Sequence, residues 1–388
     1  MEKLVQRFDQ EINWGWLSAA AQMALDKAIA IQQIPAPTFA EGERAAYIAA
    51  QFHALGLLDI QTDALHNVWG RILGKQSAVP GILISAHTDT VFDAGTDLTV
   101  HRDQNLIYGP GLGDNSMGVA GMLTLAAVLK QQNLMPECDL WLLANSREEG
   151  LGDLGGMKAA FAALKNRVAL VINLEGMAFG HVYRAGIAVR RLHITATADG
   201  GHSWLHFGRP SAIHGVIQLG ARITTLTPPG TPRTTYNIGM IDGGQTINAI
   251  ATRASLWLDL RSEAPDALET LENEVRHFVH ELNTADLRFQ VDVVGDRPAG
   301  AIPGDHPLLL GALAALGQVG VNGTLETGST DANVPLAAGV PAVTIGITRG
   351  GNAHRLDEFI ETEPTAAGLR QFALLTLAAA AYQAGLRA

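Results

Sequence analysis

Cysteine is almost missing from this chain: Cys138 is the single one in 388 residues. That excludes a disulfide within the chain and any thiolate-rich zinc site. Beside a buried strand, Cys138 reads as packing rather than as a nucleophile. Charge is also scarce, at 17% of residues against about 25% in ordinary soluble proteins, which points to a large buried fraction. The formal net charge is −11. A nucleic-acid partner, which needs a basic surface to displace phosphate counterions, is therefore not expected. An anionic small substrate stays open, because local cations override the global field.

Long hydrophobic runs are missing as well. The longest, Phe372 to Tyr382, falls well short of the roughly 20 residues that cross a bilayer, so no membrane association is expected. The first sixteen residues carry Glu2, Lys3, Arg7, Asp9 and Glu11 and no apolar core of a signal peptide. The resulting expectation is a cytoplasmic chain. There is no Gly-x-Ser-x-Gly elbow, no phosphate loop, no dinucleotide fingerprint and no internal repeat.

What the chain has is apolar residues (47%), 42 glycines and 16 prolines. Its length exceeds a usual domain of about 100–200 residues, so two domains are expected. Helical patterns cover residues 18–33 and 41–57, and strand patterns cover 67–73, 81–86, 140–144 and 169–174. The runs 81–86, 140–144 and 169–174 are predominantly apolar, as in strands covered on both faces. Alternation of such strands with helices predicts an α/β fold, a sheet with helices on both faces. The pattern changes near Ile187. A half-exposed strand at 189–198 precedes a helix at 211–226, strands at 235–241 and 253–261, a helix at 266–282 and a strand at 287–294. That β-α-β-β-α-β order is the ferredoxin-like α+β sandwich. After Pro298 the α/β pattern resumes, with a helix at 306–318, a strand at 340–347 and a helix at 363–385. The expected domains are thus a discontinuous 1–187 plus 298–388 and an inserted 188–297.

Five polar clusters follow buried strands or occupy glycine-rich loops of the discontinuous domain. His87-Thr-Asp89 ends the strand 81–86, and alternation puts His87 and Asp89 on one side. Asp114 sits in Gly109-Pro-Gly-Leu-Gly-Asp114. Glu148 and Glu149 are adjacent after strand 140–144, so their side chains diverge. Glu175 ends strand 169–174. His354 lies in Gly350-Gly-Asn-Ala-His354. Each alone fits a solvated strand end or a helix cap. Together they supply two imidazoles and several carboxylates at strand C-termini, where open α/β sheets bind ligands. A His/carboxylate set without thiolates suits zinc, cobalt or manganese.

These ordered motifs, covering nearly the whole chain, resemble the two-zinc amide hydrolases that include carboxypeptidase G-type enzymes, acetylornithine deacetylase, aminoacylase and tripeptide aminopeptidase. The resemblance implies a zinc-peptidase-like catalytic domain on a mixed sheet and an inserted lid that also dimerises the chain. It implies two divalent metal ions, zinc first and cobalt or manganese otherwise. Asp114 would bridge them, followed by a cis peptide bond. His87 and Glu175 would hold one ion, Glu149 and His354 the other. Glu148 matches the general base and Asp89 the partner of His87. In the lid, His202 matches a histidine that polarises the scissile carbonyl, usually from the partner subunit. Asn248 and Arg261 match residues that hold a substrate carboxylate. The expected substrate is a small peptide, cleaved by an exopeptidase or dipeptidase. An N-acyl amino acid is the alternative, because Glu175 stands where several of the family's peptidases have Asp. A catalytically silent binding protein is the rival of another class, opposed by the complete ligand set. Family members often carry Pro shortly after the Asn248 position, where this chain has Ala249-Ile-Ala251. A homodimer would pair through the helix 211–226 and a sheet edge at 189–198.

Overall fold

The computed structural model describes residues 1–386. The chain divides into two compact units, Met1–Gly186 with Gly300–Ala388, and Ile187–Ala299.

The first unit is built on a nine-stranded mixed sheet. Its centre is four parallel strands in the order Leu140–Asn145, Gly81–His87, Val168–Leu174 and Ala342–Ile345. Gly81–His87 is buried at all seven positions, which requires cover on both faces of the sheet. Antiparallel strands flank this centre. Val68–Ile72 and Leu58–Thr62 lie on one side, His181–Gly186 and Gly300–Ala301 on the other. Thr324–Gly328 runs parallel to His181–Gly186. Helices Met117–Gln131 and Thr365–Gln383 pack on the strands Gly81–His87 and Val168–Leu174. The helical stretch Leu112–Gln131 is long and apolar enough to cross a membrane, yet 94% of its apolar window is buried within the protein. The expected helix at 363–385 is Thr365–Gln383, and the strand at 340–347 is shorter, Ala342–Ile345. An unforeseen N-terminal helix, Glu2–Glu11, buries Leu4 and Val5.

A second, four-stranded sheet in this unit places the His354 loop. Gly350–Gly351 and Phe359–Glu361 form a hairpin, and Phe359–Glu361 pairs with Leu106–Tyr108. The short ladder therefore joins residues 352–358 to the segment that runs into Asp114.

The second unit has the β-α-β-β-α-β order. Its antiparallel sheet runs Thr234–Gly243, Arg253–Ser262, Ala188–Ala198 and Leu287–Arg297. The helices are Ala212–Ile223 and Pro265–Leu282. Leu192, Ile194, Val216, Leu256, Leu258 and Val275 are in its separate core. One expectation is overturned here. Ala188–Ala198 is not a sheet edge but lies between two neighbours. The edges are Thr234–Gly243 and Leu287–Arg297. Alternation reports which face is covered, not how many strands lie alongside.

Candidate active site

His87 is the last residue of its central strand and is 1% exposed. Its Nδ1 lies 3.1 Å from the Asp89 carbonyl oxygen and 3.6 Å from Asp89 Oδ1. Its Nε2 faces Asp114 Oδ1 at 3.1 Å and Glu175 Oε2 at 3.7 Å. The other Asp114 oxygen, Oδ2, faces His354 Nε2 at 3.1 Å. His354 Nε2 also lies 3.1 Å from Glu149 Oε1. Asp114 thus stands between two imidazoles, each with a further carboxylate. Four predicted side chains from segments up to 267 positions apart in the sequence (87 to 354) gather around Asp114, the two imidazoles directly and the two glutamates beside them.

The strands explain the convergence. Glu149 follows Leu140–Asn145 and Glu175 follows Val168–Leu174, the two parallel neighbours of the His87 strand. The C-termini of parallel strands gather on one rim of the sheet. The Asp114–Asn115 peptide bond is cis, as the resemblance implies. Asn115 ties this loop to the next one. Its Nδ2 donates to the Leu174 carbonyl at 2.7 Å, and its Oδ1 accepts from Gly176 N–H at 2.9 Å. Gly176 is required there, since a Cβ would come within 2.2 Å of the Gly113 carbonyl oxygen. Gly118 is required too, because its Cβ would meet Asn115 Oδ1 at 2.1 Å.

Asp89 does more than face His87. Its Oδ1 accepts from Glu148 N–H and its Oδ2 from Glu149 N–H, both at 2.9 Å, and Oδ2 also accepts from Thr38 Oγ1 at 2.8 Å. It fixes the backbone of the Glu148–Glu149 pair while orienting the imidazole. Glu148 is 6% exposed.

Arg44, Asp331 and Glu358 are among the buried ionisable residues that escape a reading of the sequence. Arg44 donates Nη1 to the Thr88 carbonyl at 2.7 Å and Nη2 to Ile34 O at 2.6 Å. Burial brings its guanidinium down to about 10. Asp331 is fully buried and accepts from Asn145 Nδ2 at 2.7 Å, and burial pushes its carboxyl up to about 7. Glu358, also fully buried, reaches the Asp114 loop; burial pushes it up to about 7. The only signals in the sequence are the place of Asp331 in a Gly-Ser-Thr-Asp run after a strand and that of Glu358 four residues beyond His354.

The donor chemistry fits divalent cations. Among the described residues, ligand atoms of His87, Asp114 and Glu149 all lie within 4.8 Å of one another. The set is oxygen and imidazole nitrogen only, suited to borderline and hard ions. Burial alone would lower His87, but Asp114, Asp89 and Glu175 outweigh it and hold its imidazole well above the ordinary value. Asp114 and Glu149 hold His354 up to about 10. Burial would raise Asp114, yet the two imidazoles hold it well below the usual carboxylate range. Burial raises Glu175, with the Asp114 and Glu149 charges adding to it. Without metal, the imidazole protons supply the positive charge among these carboxylates, and metal binding must displace them.

The raised His354 contributes ion-pair stability to the metal-free chain that is complete below about pH 6.5 and lost as pH rises through about 10. A metal held by His354 would compete with the same proton, so apparent metal affinity would climb with pH up to about 10 and then level off. Calorimetric titration of metal in buffers of different ionisation enthalpy should show proton release near pH 8, reduced by about one proton in His354→Asn. Equal release by both chains would remove His354 from the metal site.

The remaining predicted residues lie in the second unit. His202 pairs with Ala249 across the short ribbon Gly201–His202 and Ala249–Ile250, and Ser203 N–H donates to the Asn248 carbonyl at 3.0 Å. The ribbon thus brings His202 and Asn248 together. His202 Nδ1 accepts from the backbone N–H groups of Trp204 and Leu205, at 3.2 and 3.4 Å. A neutral ring held this way carries its proton on Nε2. His206 assists, its Nδ1 accepting from His202 N–H at 2.9 Å. Asn248 is solvent-exposed, its Oδ1 taken by Thr246 Oγ1. Arg261 lies apart from them on the central strand Arg253–Ser262, its Nε on Asp259 Oδ2 at 2.6 Å. Asp259 also pairs with Arg191.

Residues 83–378 match the model of Peptidase family M20/M25/M40. The chain is 21% identical over 342 residues to the uncharacterised protein YqjE of Bacillus subtilis, covering 83% of this chain and 89% of that protein. Its fold is similar to aminopeptidase PepT of Bacillus cereus, with a TM-score of 0.74 and 20% identity over 92% of this chain and 99% of that one. It is likewise similar to a tripeptidase of Staphylococcus aureus, with a TM-score of 0.76 and 20% identity over 93% and 98% of the two chains. The chain belongs to Peptidase family M20/M25/M40 and is a metallohydrolase.

Proposed function

We propose that this protein hydrolyses an amide bond of a small peptide, as an exopeptidase or dipeptidase. The observation that carries the reading is Asp114 between His87 and His354, each backed by a further carboxylate. His87 and Glu175 would hold one divalent ion, Glu149 and His354 another, with Asp114 shared and zinc the first choice. Such a pair, when bound, supplies Lewis-acid polarisation of a carbonyl and acidifies water.

The chain's own residues do the rest. Glu148 takes a proton from the attacking water as the new C–O bond forms. It delivers that proton to the amine as the C–N bond breaks. His202, with its proton on Nε2, donates to the developing oxyanion. Arg261 and Asn248 anchor a free carboxylate of the substrate. Asp259 occupies Arg261 Nε, which leaves the terminal guanidinium nitrogens for the bidentate contact. Asp89 keeps Glu148 and Glu149 in place through their backbone N–H groups.

The proposed assembly is a homodimer in which His202 serves the partner's site. Exposed apolar residues support a covered surface on the second unit: Ile217 on helix Ala212–Ile223, and Met240 and Ile241 on the edge strand Thr234–Gly243, are each more than half exposed. This edge replaces the strand Ala188–Ala198 as the pairing candidate.

An N-acyl amino acid is the second reading, favoured by Glu175 alone. A substrate panel separates the two. Metal-loaded protein should cleave di- or tripeptides at least about tenfold faster, in kcat/KM, than the matching N-acetyl amino acids. It should lose activity on peptides whose carboxylate is amidated. Faster turnover of the N-acetyl compounds would establish the deacylase, and indifference to amidation would remove Arg261 and Asn248 as the anchor.

A further inference from the structure

Glu358 is a fully buried carboxylate, and among the described residues it forms no ion pair with Lys, Arg or His. Burying a charge is costly unless hydrogen bonds compensate it. Here the compensation is a set of backbone donors from one loop. Oε1 accepts from Gly113 N–H at 2.7 Å and from Asp114 N–H at 3.0 Å, and Oε2 accepts from Gly111 N–H at 3.2 Å. The Glu358 carbonyl takes a further bond from Gly109 N–H at 2.9 Å. The glycine-rich stretch 109–114 thus has four of its N–H groups satisfied by a single residue more than 240 positions away.

That residue also sits in the hairpin that carries His354. Strands Gly350–Gly351 and Phe359–Glu361 close the hairpin, with His354 and Glu358 both within it. One side chain therefore ties the backbone of Asp114 to the loop of His354, whose Nε2 lies 3.1 Å from Asp114 Oδ2. No metal is needed to make these contacts, because every donor is a main-chain N–H.

We propose that Glu358 is a positioning residue that presets Asp114 against His354 for metal capture, an inference that rests on Asp114 being the shared ligand. Glu358→Gln fills the same volume but turns one acceptor oxygen into a donor aimed at a backbone N–H, and it removes the charge. Cobalt(II) titration against a competing chelator, with visible spectra, is the test. E358Q should bind cobalt about 10–100-fold more weakly, with altered absorption bands. Excess cobalt should restore kcat while KM stays at the wild-type value. A scaffold role alone would lower the melting temperature of the metal-free chain and leave cobalt affinity and spectrum unchanged. E358Q with wild-type affinity and spectrum overturns the proposal, whatever its stability. Should E358Q not fold, E358D decides in the same titration: it keeps the charge but is one methylene too short for both groups of donors, so wild-type cobalt binding by E358D overturns the proposal. Wild-type protein that takes up no cobalt defeats the metal reading of Asp114 as well, whereas cobalt uptake equal in both chains defeats the Glu358 role alone.

Discussion

Glu148→Gln is expected to keep its metal and lose turnover by about 10⁴-fold. Glutamine occupies nearly the same volume, and the backbone N–H of residue 148 still donates to Asp89 Oδ1. The local structure is therefore held by a contact that the substitution does not touch. What disappears is a basic oxygen. General-base assistance contributes about 10²–10⁴-fold to reactions of this type. One side chain that both accepts the water proton and returns it to the amine places the loss at the upper end. Metal analysis by mass spectrometry should find E148Q as loaded as wild type, and kcat should fall with little change in KM. A mutant within tenfold of wild type would make Glu148 a bystander. Loss of metal would instead place Glu148 among the ligands.

The ligand candidates are legible in the sequence because of where they stand. Buried parallel strands announce themselves as predominantly apolar runs, so a charged or imidazole side chain at the end of one is conspicuous. His87 and Glu175 stand out in this way, and Glu149 belongs to an acidic pair that follows the strand Leu140–Asn145 closely. Asp114 and His354 are marked by glycines, one of which, Gly111, adopts φ +71°. The supporting charges give no such sign. Arg44 sits on the helix Gly42–Leu55, where a single arginine looks like a solvated position, yet it is 2% exposed and bonded to carbonyl groups. Glu358 is joined to Asp114 through strands of two or three residues, too short for any period to show. Strand Leu58–Thr62 leaves no mark because it is mostly exposed, with no alternation to read. The order of strands in the second unit is illegible for a related reason. Two-residue periodicity is the same for a central strand as for an edge one. The Ala188–Ala198 strand, expected at the rim, is therefore central, and the proposed pairing surface moves to Thr234–Gly243.

His202→Ala is expected to lower kcat about 10²–10³-fold with metal retained, the usual cost of losing one hydrogen-bond donor to an oxyanion, about 2.7–4 kcal/mol. The direction follows from the ring's fixed tautomer. Two backbone N–H groups aim at Nδ1, so Nε2 is the donor without any need for a positive charge. His202→Asn should accordingly recover part of the loss where its amide reaches the same oxygen. The test of trans delivery is a mixture. His202 belongs to the second unit, whereas Glu148 and the ligand set belong to the first. If His202 serves the partner's site, a hybrid of one H202A chain and one E148Q chain has one site that lacks both groups and one that is complete. Mixing the two inactive proteins, with subunit exchange confirmed by a mass-tagged chain, should therefore restore up to about half of wild-type activity per hybrid dimer. If His202 acts within its own chain, every site in the hybrid lacks one group and the mixture stays inactive. A fully active monomer at assay concentration would likewise exclude delivery from the partner. Either result fixes which chain supplies the oxyanion donor.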